Sequence, residues 1–448
     1  MITYKLFLKQ CIRSKEVWIS LLLIILLGII GIIIGNKHLE RQQQAIAEVN
    51  SYQEEHFDRH VSLHNDDLGL LLYYANFAYI NTLNPLAGLS IGQADVNPTV
   101  KRITIKTFEA QKFDTDLVNP MNLQSGNLDL SFVIIYLFPL LIIVLTFNIV
   151  SEETETGTWR LVAIQAKSRL GFIISKLLVR LVLLFAVLIL VFLIAKFVLH
   201  IPFNANFLLM IGLSLLYIIF WFTLTFFVIT FKKSSGFNAL LLLSIWLVLI
   251  ILFPAGINAY ISSKYPVPEA LSTAIAQRDG YHTKWDTDKL ATIEKFYQHY
   301  PQFKKYGYPT DGFNWLWYYA MQQMGDDDSK TQREALDQKI KLREQTSMQI
   351  ASVVPNMHLQ LAFNQIAGTS MGQQIDYLEA THAFHEKLRL FFYPKIFEGK
   401  HADTIDWDQF TPEYYEIESK VQPTKYLVPL LLASILMVLL SIPKARKV

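Results

Sequence analysis

The chain has 448 residues and a mean hydropathy of +0.29, with 52% hydrophobic and only 17% charged residues. A soluble domain carries about a quarter charged residues, so the deficit lies in long uncharged runs, and a simple soluble enzyme or a disordered chain is excluded. A net charge of +2 gives no case for nucleic acid as a partner. The single cysteine, Cys11, excludes an intramolecular disulfide and a zinc site built on several thiolates.

A bilayer core of about 30 Å takes roughly 20 apolar residues of helix. The first such run is 17–35. Its core is longer than the roughly 7–15 residues of a signal peptide, so it reads as an uncleaved anchor. From there a Gln-, Glu- and Ala-rich stretch, 39–61, continues the helix outward. It carries His56, His60 and His64 at i, i+4, i+8 with Glu54, Glu55, Asp58, Asp66 and Asp67 nearby. That spacing puts three imidazoles on one helix face and could hold a metal, but a solvated polar face is the plainer reading, and no metal is assigned. Residues 101–108 alternate and read as a short strand. The second run, 130–150, contains Pro139. It is followed by a loop at 151–176 and by further runs at 177–199, 207–231 and 237–257, the last after a Lys232-Lys233-Ser-Ser-Gly break.

Residues 258–425 then form a second long polar segment. Within it, 300–319 reads as irregular, with Trp315, Trp317, Tyr318 and Tyr319 as core rather than a membrane-interface belt. A polar helix is expected over 329–350, with Asp326, Asp327 and Asp328 at its N-terminus, and another over 372–392. The last apolar run is 426–442, followed by a tail at 443–448. The fold class expected is therefore membrane all-α. It has six transmembrane helices and a large, mostly helical extracytoplasmic domain built from two loop segments, 36–129 and 258–425. Together these exceed half the chain, enough for a core of their own.

Orientation follows the basic residues at span ends. Lys5, Lys9, Arg13 and Lys15 precede span one, and Arg160, Lys167, Arg169 and Lys176 lie between spans two and three. Lys232 and Lys233 lie between spans four and five, and Lys444, Arg446 and Lys447 follow span six. All fall on one side if the helices alternate, whereas the 200–206 loop has no Lys or Arg. Both termini are expected to be cytoplasmic.

One loop exceeds what a connection needs. It reads Ser151-Glu152-Glu153-Thr154-Glu155-Thr156-Gly157-Thr158-Trp159-Arg160-Leu161-Val162, then Ser168-Arg169. An acidic cluster, a Gly-Thr and an apolar pair suit a short helical hairpin at the membrane surface. Gly157 permits the turn, the carboxylates face water or a basic partner, and Trp159, Leu161 and Val162 rest in the interface or a partner groove.

This segment resembles the intracellular coupling element of ABC-2 type transporter permeases, where an acidic stretch and a Gly-Thr-apolar-Arg motif follow the second span. The six-span plan fits that family. So do an amphipathic N-terminal helix at 1–16 and the stretch from Asn119-Pro120 through Gly126, Asp129-Leu130 and Phe132 to Pro139-Leu140. More narrowly, the chain resembles a bacterial subfamily carrying a large external domain of unknown function. Residues 360–392, with Ala367-Gly368-Thr369 and Leu388-Arg389-Leu390-Phe391-Phe392, resemble the tail of that domain. Trp159 departs from the family's usual aliphatic residue, and 163–167 lacks a proline often found before the Ser-Arg pair; neither removes the hairpin.

The resemblance implies a permease subunit of a bacterial inner membrane without an ATP site of its own, and the chain contains no G-x-x-x-x-G-K-[ST] loop. ATP and Mg would be bound by a separate cytoplasmic ABC ATPase, contacted through Glu152, Glu153, Glu155, Gly157, Thr158 and Arg160. A second permease chain, identical or related, would complete the membrane part, and this chain would hold no cofactor and no catalytic residue. The spans carry no mid-membrane Asp or Glu for ion coupling, which points to an apolar or amphipathic substrate. His382-Ala-Phe-His385-Glu386 lacks the H-E-x-x-H order of a zinc protease, and no G-x-S-x-G occurs. Two rivals are kept: a complex that moves its external domain and carries nothing across, and a membrane-anchored receptor or scaffold.

Overall fold

Ser14 separates the first two helices. It ends helix Ile2–Arg13 and caps the next, its Oγ accepting the Val17 N–H. From Lys15 to Leu63 the chain is one helix of 49 residues, about 73 Å long at 1.5 Å per residue. No proline interrupts it, and its composition passes from apolar to Gln- and Glu-rich without a break. In this computed structural model the described residues are 2–445 except 83, 113–126, 167, 287, 310–311 and 417–420. Asn119 through Gly126, Lys167, Arg446 and Lys447, named above, lie outside them.

Among the described residues the fold is mostly helical. Six helices are long and apolar enough to cross a membrane: Lys15–Leu63, Leu130–Glu155, Arg169–Val198, Ala205–Ile229, Ser235–Lys264 and Pro423–Ala445. The third starts eight residues before the expected 177 because Ser168 accepts the Gly171 N–H at 3.2 Å and nothing breaks the helix after that. The 151–176 loop is correspondingly shorter. The fifth runs on past 257 to Lys264, and the sixth begins before 426.

Two apolar cores result. One lies inside the long helices, around Leu184, Leu188, Met210, Leu213, Trp221, Val228 and Leu430. It also takes in Leu359, Ala362, Phe363, Ile366 and Ala367 of helix Pro355–Ala367, so one helix of the long polar segment is packed into the bundle. The second core is aromatic: Phe77, Phe108, Phe296, Trp317, Tyr319, Tyr377, Phe392 and Tyr393. Trp317, Tyr318 and Tyr319 are buried there and Trp315 is half-buried, which sets aside a surface belt.

A three-stranded sheet of order β2-β1-β3 joins the two polar segments. β1 (Phe77–Asn81) pairs antiparallel with β2 (Val100–Ile103), Phe77 opposite Ile103, and parallel with β3 (Glu413–Tyr415), Tyr79 opposite Glu413. The strand expected over 101–108 stops at Ile103, because the Phe108 and Glu109 N–H groups instead donate to Asp326 at 2.9 and 3.1 Å as helix Phe108–Lys112 begins.

That contact also corrects the acidic triplet. Asp326 to Asp328 lie inside helix Trp315–Ala351, which is capped by Asn314 and therefore starts well before 329. Among the described residues of 300–319, a 3-10 turn, Pro301–Tyr306, precedes that helix. Helix Met371–Phe397 packs alongside, opened by a reciprocal Ser370–Gln373 capping box. Its Arg389 is buried, paired with Asp326 at 2.9 Å, and donates to the Ile105 and Lys106 carbonyls at 3.1 and 2.7 Å. Guanidinium and carboxylate together fasten the 100–112 region to the two longest helices of the aromatic-cored domain.

Candidate functional site

Residues 151–165 fold as two short helices, Ser151–Glu155 and Trp159–Gln165. Between them Gly157 takes φ +76°, a left-handed conformation that glycine adopts without strain. Thr156 Oγ1 donates back to the Glu152 carbonyl at 2.8 Å and Thr158 Oγ1 to that of Glu153 at 3.2 Å. Thr158 also donates to the Glu153 carboxylate. The turn is held by its own side chains.

The three glutamates have different surroundings. Glu153 Oε1 meets Lys176 Nζ at 2.6 Å. Lys176, buried on helix Arg169–Val198, also donates to the Ile149 carbonyl at 3.4 Å. The same ammonium lies 4.9 Å from the Phe172 ring centre and 5.8 Å from that of Phe7. Phe172 in turn packs edge-on against Phe7 of the N-terminal helix (5.1 Å) and Trp159 of the hairpin (6.4 Å). Glu155 reaches the other way. Its Oε1 accepts the Ser235 N–H at 2.7 Å and its Oε2 the Ser235 hydroxyl at 2.9 Å, while the Ser151 and Ser235 hydroxyls lie 2.7 Å apart. A carboxylate on the first N–H of helix Ser235–Lys264 satisfies one orphan donor and faces the positive end of the helix dipole.

Glu152, exposed like Glu155, accepts from Asn148 Nδ2 at 3.0 Å, one turn back. Arg160 is exposed and forms no ion pair among the described residues. Leu161 and Ile164 are 60% and 83% exposed on the second short helix. Of the predicted contact residues, then, Glu153 and Glu155 tie the hairpin to other helices, Glu152 and Thr158 bond within it or one turn away, and all but Glu153 are exposed, Gly157 and Arg160 included. Lys176, Ser151 and Ser235 were missed as site residues. The tandem Ser-Ser after Lys232-Lys233 was a readable helix-cap signal; the reach of Lys176 to Glu153 was not readable, since it depends on how the third helix packs.

The histidine row has another use. His60 and His64 each stack on Tyr74, at 5.7 and 5.8 Å between ring centres, and His56 lies 4.4 Å from His60. Asn76 N–H donates to His56 Nε2 at 3.2 Å. Burial, first, holds the His56 and His60 imidazoles below their ordinary range, with Arg59 and Arg102 adding to it at His56 and the His56 and His64 rings and Arg59 at His60. Among the described residues no three His, Cys, Asp or Glu side chains converge as a metal group. His385 is buried with Nε2 2.8 Å from the Lys106 carbonyl, a structural position.

Fold and site together define a bundle of six long apolar helices with a fastened hairpin at one end and an aromatic-cored domain at the other. Residues 107–283 match a family model described as "Protein of unknown function (DUF2705)", and residues 270–415 one described as "Domain of unknown function (DUF3526)". The first match takes in the hairpin and the helices around it, and the second most of the long polar segment. No curated protein and no solved structure matches the chain.

Proposed function

We propose that the chain is a multi-pass subunit of an ATP-driven ABC-2 type complex in a bacterial inner membrane. Both termini and the hairpin lie on the cytoplasmic side, and the aromatic-cored domain lies outside. A separate ABC ATPase binds ATP and Mg, docks on the hairpin, and drives export or extraction of an apolar or amphipathic substrate with a second permease chain. The observation that carries this reading is the two-sidedness of 151–165. Glu153–Lys176 and Glu155–Ser235 fix it to the third and fifth long helices, while Glu152, Arg160, Leu161 and Ile164 are presented to solvent. Such an element passes a push from a docked partner directly into two helices.

A pull-down of the tagged full-length chain in mild detergent tests it. Wild type brings down an ATP-hydrolysing subunit, and Leu161→Asp/Ile164→Asp loses it while Ser62→Ala, far from the hairpin, does not. Absence of such a subunit across several detergents sinks the proposal and leaves the receptor or scaffold reading.

A second reading, movement of the outer domain with nothing carried across, is favoured by one feature. Helix Lys15–Leu63 runs unbroken from the bundle into the aromatic core, where Phe57 is buried. Substrate-stimulated ATPase activity supports transport; ATPase activity indifferent to added lipid or peptide, with movement of the outer domain, supports the mechanical reading.

A further inference from the structure

Two of the long helices carry the same interruption. Residues 133–139 (VIIYLFP) and 248–254 (VLIILFP) agree at five of seven positions. Each folds as one short π-helix, Val133–Leu137 and Val248–Leu252, in which the Phe138 and Phe253 N–H groups bond five residues back to Val133 and Val248. In each, a proline follows immediately, Pro139 or Pro254.

The register shift and the missing proline N–H free backbone carbonyls. In a hydrocarbon setting such groups need partners from elsewhere in the protein. The Ile135 carbonyl, four residues before Pro139, accepts the Tyr217 hydroxyl at 2.9 Å. The Leu249 carbonyl is five residues before Pro254, in the π register, and its other candidate donor, Phe253 N–H, is already used by Val248. It accepts Asn356 Nδ2 at 2.6 Å. Trp246, just ahead of the second interruption, donates its indole N–H to Tyr136 inside the first at 3.1 Å.

These donors differ in origin. Tyr217 and Trp246 belong to the bundle. Asn356 belongs to helix Pro355–Ala367, the part of the long polar segment packed into the bundle, and its Oδ1 is buried with no partner among the described residues. Asn356 thus holds the Leu249 carbonyl through Nδ2 alone.

We propose that the two π-proline segments are paired hinges, joined to each other by Trp246 and latched by Tyr217 and, from the outer segment, by Asn356. Kinks at prolines and π-bulges are common and can be static; what distinguishes a hinge is that its latch sets its spread of angles. The drive assigned to it rests on the proposed function. Helix two leads into the hairpin, and Glu155 grips the first turn of helix five, so force on the hairpin bends both helices where the backbone ladder is already open. Loss of the Asn356 bond carries that bend to the outer domain.

The test uses the full-length chain with Cys11→Ser in lipid nanodiscs. Spin labels go at Phe237→Cys and Tyr260→Cys, two exposed positions near opposite ends of helix five, about 35 Å apart along an unbent axis. Double electron–electron resonance gives the distance distribution. Asn356→Leu, which keeps bulk and removes the donor, adds a shorter, more bent population. Pro254→Ala, which restores an N–H, narrows the wild-type distribution. If a folded, monodisperse Asn356→Leu chain keeps the wild-type distribution, the latch is refuted. If that variant does not fold, an unchanged width in Pro254→Ala refutes the hinge and a narrowed one supports it. The outcome separates from the pull-down: a mobile hinge without an ATPase removes the proposed drive alone, and a captured ATPase with a rigid helix removes the hinge alone.

Discussion

Arg389→Met asks whether the aromatic-cored domain is one body made from two distant stretches of chain. The Arg389 side chain is 2% exposed and its partner Asp326 5%. Methionine keeps most of the stem and removes every donor: the 2.9 Å ion pair, the bonds to the Ile105 and Lys106 carbonyls, and the bond to Gln323. Asp326 is then left with two backbone N–H groups, from Phe108 and Glu109, and the Ile105 and Lys106 carbonyls each lose a donor, Lys106 keeping His385. Breaking a buried pair from one side costs about 3–5 kcal/mol. An exposed pair such as Lys341–Glu379 is worth about 0–1 kcal/mol, so Lys341→Met is the control. Fluorescence-detected melting of the detergent-purified chain should show Arg389→Met several degrees below wild type and Lys341→Met close to it. Asp326→Asn added to Arg389→Met should recover part of the loss, because the uncompensated charge is gone. If Arg389→Met melts with Lys341→Met, the ion pair does not hold the two segments together.

Four further outcomes follow from local geometry. At Gly35 an added Cβ would lie 1.8 Å from the Gly88 carbonyl oxygen, a backbone atom, whereas at Gly212 it meets nothing within 4 Å. Gly35→Ala should therefore lower melting temperature and yield, at about 1–3 kcal/mol for overpacking, and Gly212→Ala should not; equal behaviour would remove the close approach. Lys176→Met should speed tryptic cleavage after the exposed Arg160, and an unchanged rate would mean that Lys176 does not fasten the hairpin. His382 is held down to about 4, by burial first and then by Arg333, Arg389 and Lys112. Its contribution is fully present above the unfolded value near 6.5 and is lost as pH falls toward 4, so His382→Gln should flatten the acid-side decline in melting temperature. His299 is shifted the other way by its hydrogen bond to Asp327. Its contribution is present below about 6.5 and lost as pH rises through its raised value, so His299→Gln should be destabilising in mild acid and neutral in alkali.

The long apolar helices were legible because a run such as 207–231 needs nothing but its own composition to be recognised. The hairpin was legible for a similar local reason: acids, Gly157 and an apolar pair fall within a dozen residues. What failed was what depended on distant partners. Asp326 to Asp328 read as a helix N-terminus, since acids favour that position. In the fold, Asp326 serves the N–H groups of Phe108 and Glu109, more than two hundred residues earlier. Residues 101–108 alternate as a strand should, yet pairing ends at Ile103 where that same carboxylate recruits the backbone. Glu153 and Glu155 read as outward charges because nothing near them in sequence opposes them; their partners, Lys176 and Ser235, arrive with the third and fifth helices. Residues 355–367 read only as part of the long polar segment 258–425, and their folding as a helix buried in the bundle is a tertiary fact.

These placements divide the long helices into two mechanical kinds. Helix Lys15–Leu63 is continuous and held at its middle and in its last third. Gly35 presses on Gly88 within the bundle, and Gln53 bridges the Ala78 N–H at 2.7 Å and the Phe410 carbonyl at 2.5 Å in the aromatic-cored domain. Val49 packs beside Ala78 and Ile80 of β1. Helices two and five, by contrast, are fixed to the hairpin at one end and opened by a π-proline segment farther along. A strut without a joint and two helices with one respond differently to the same displacement: the jointed pair bends and the strut carries the remainder onward. Under the proposed reading, stiffening the joints with Pro139→Ala/Pro254→Ala should leave ATPase capture intact, since no hairpin residue changes. The same variant should abolish any ATP-dependent change in distance between the hairpin and the outer domain. Capture and movement lost together would mean that the prolines shape the docking surface, and movement retained would place the bend elsewhere.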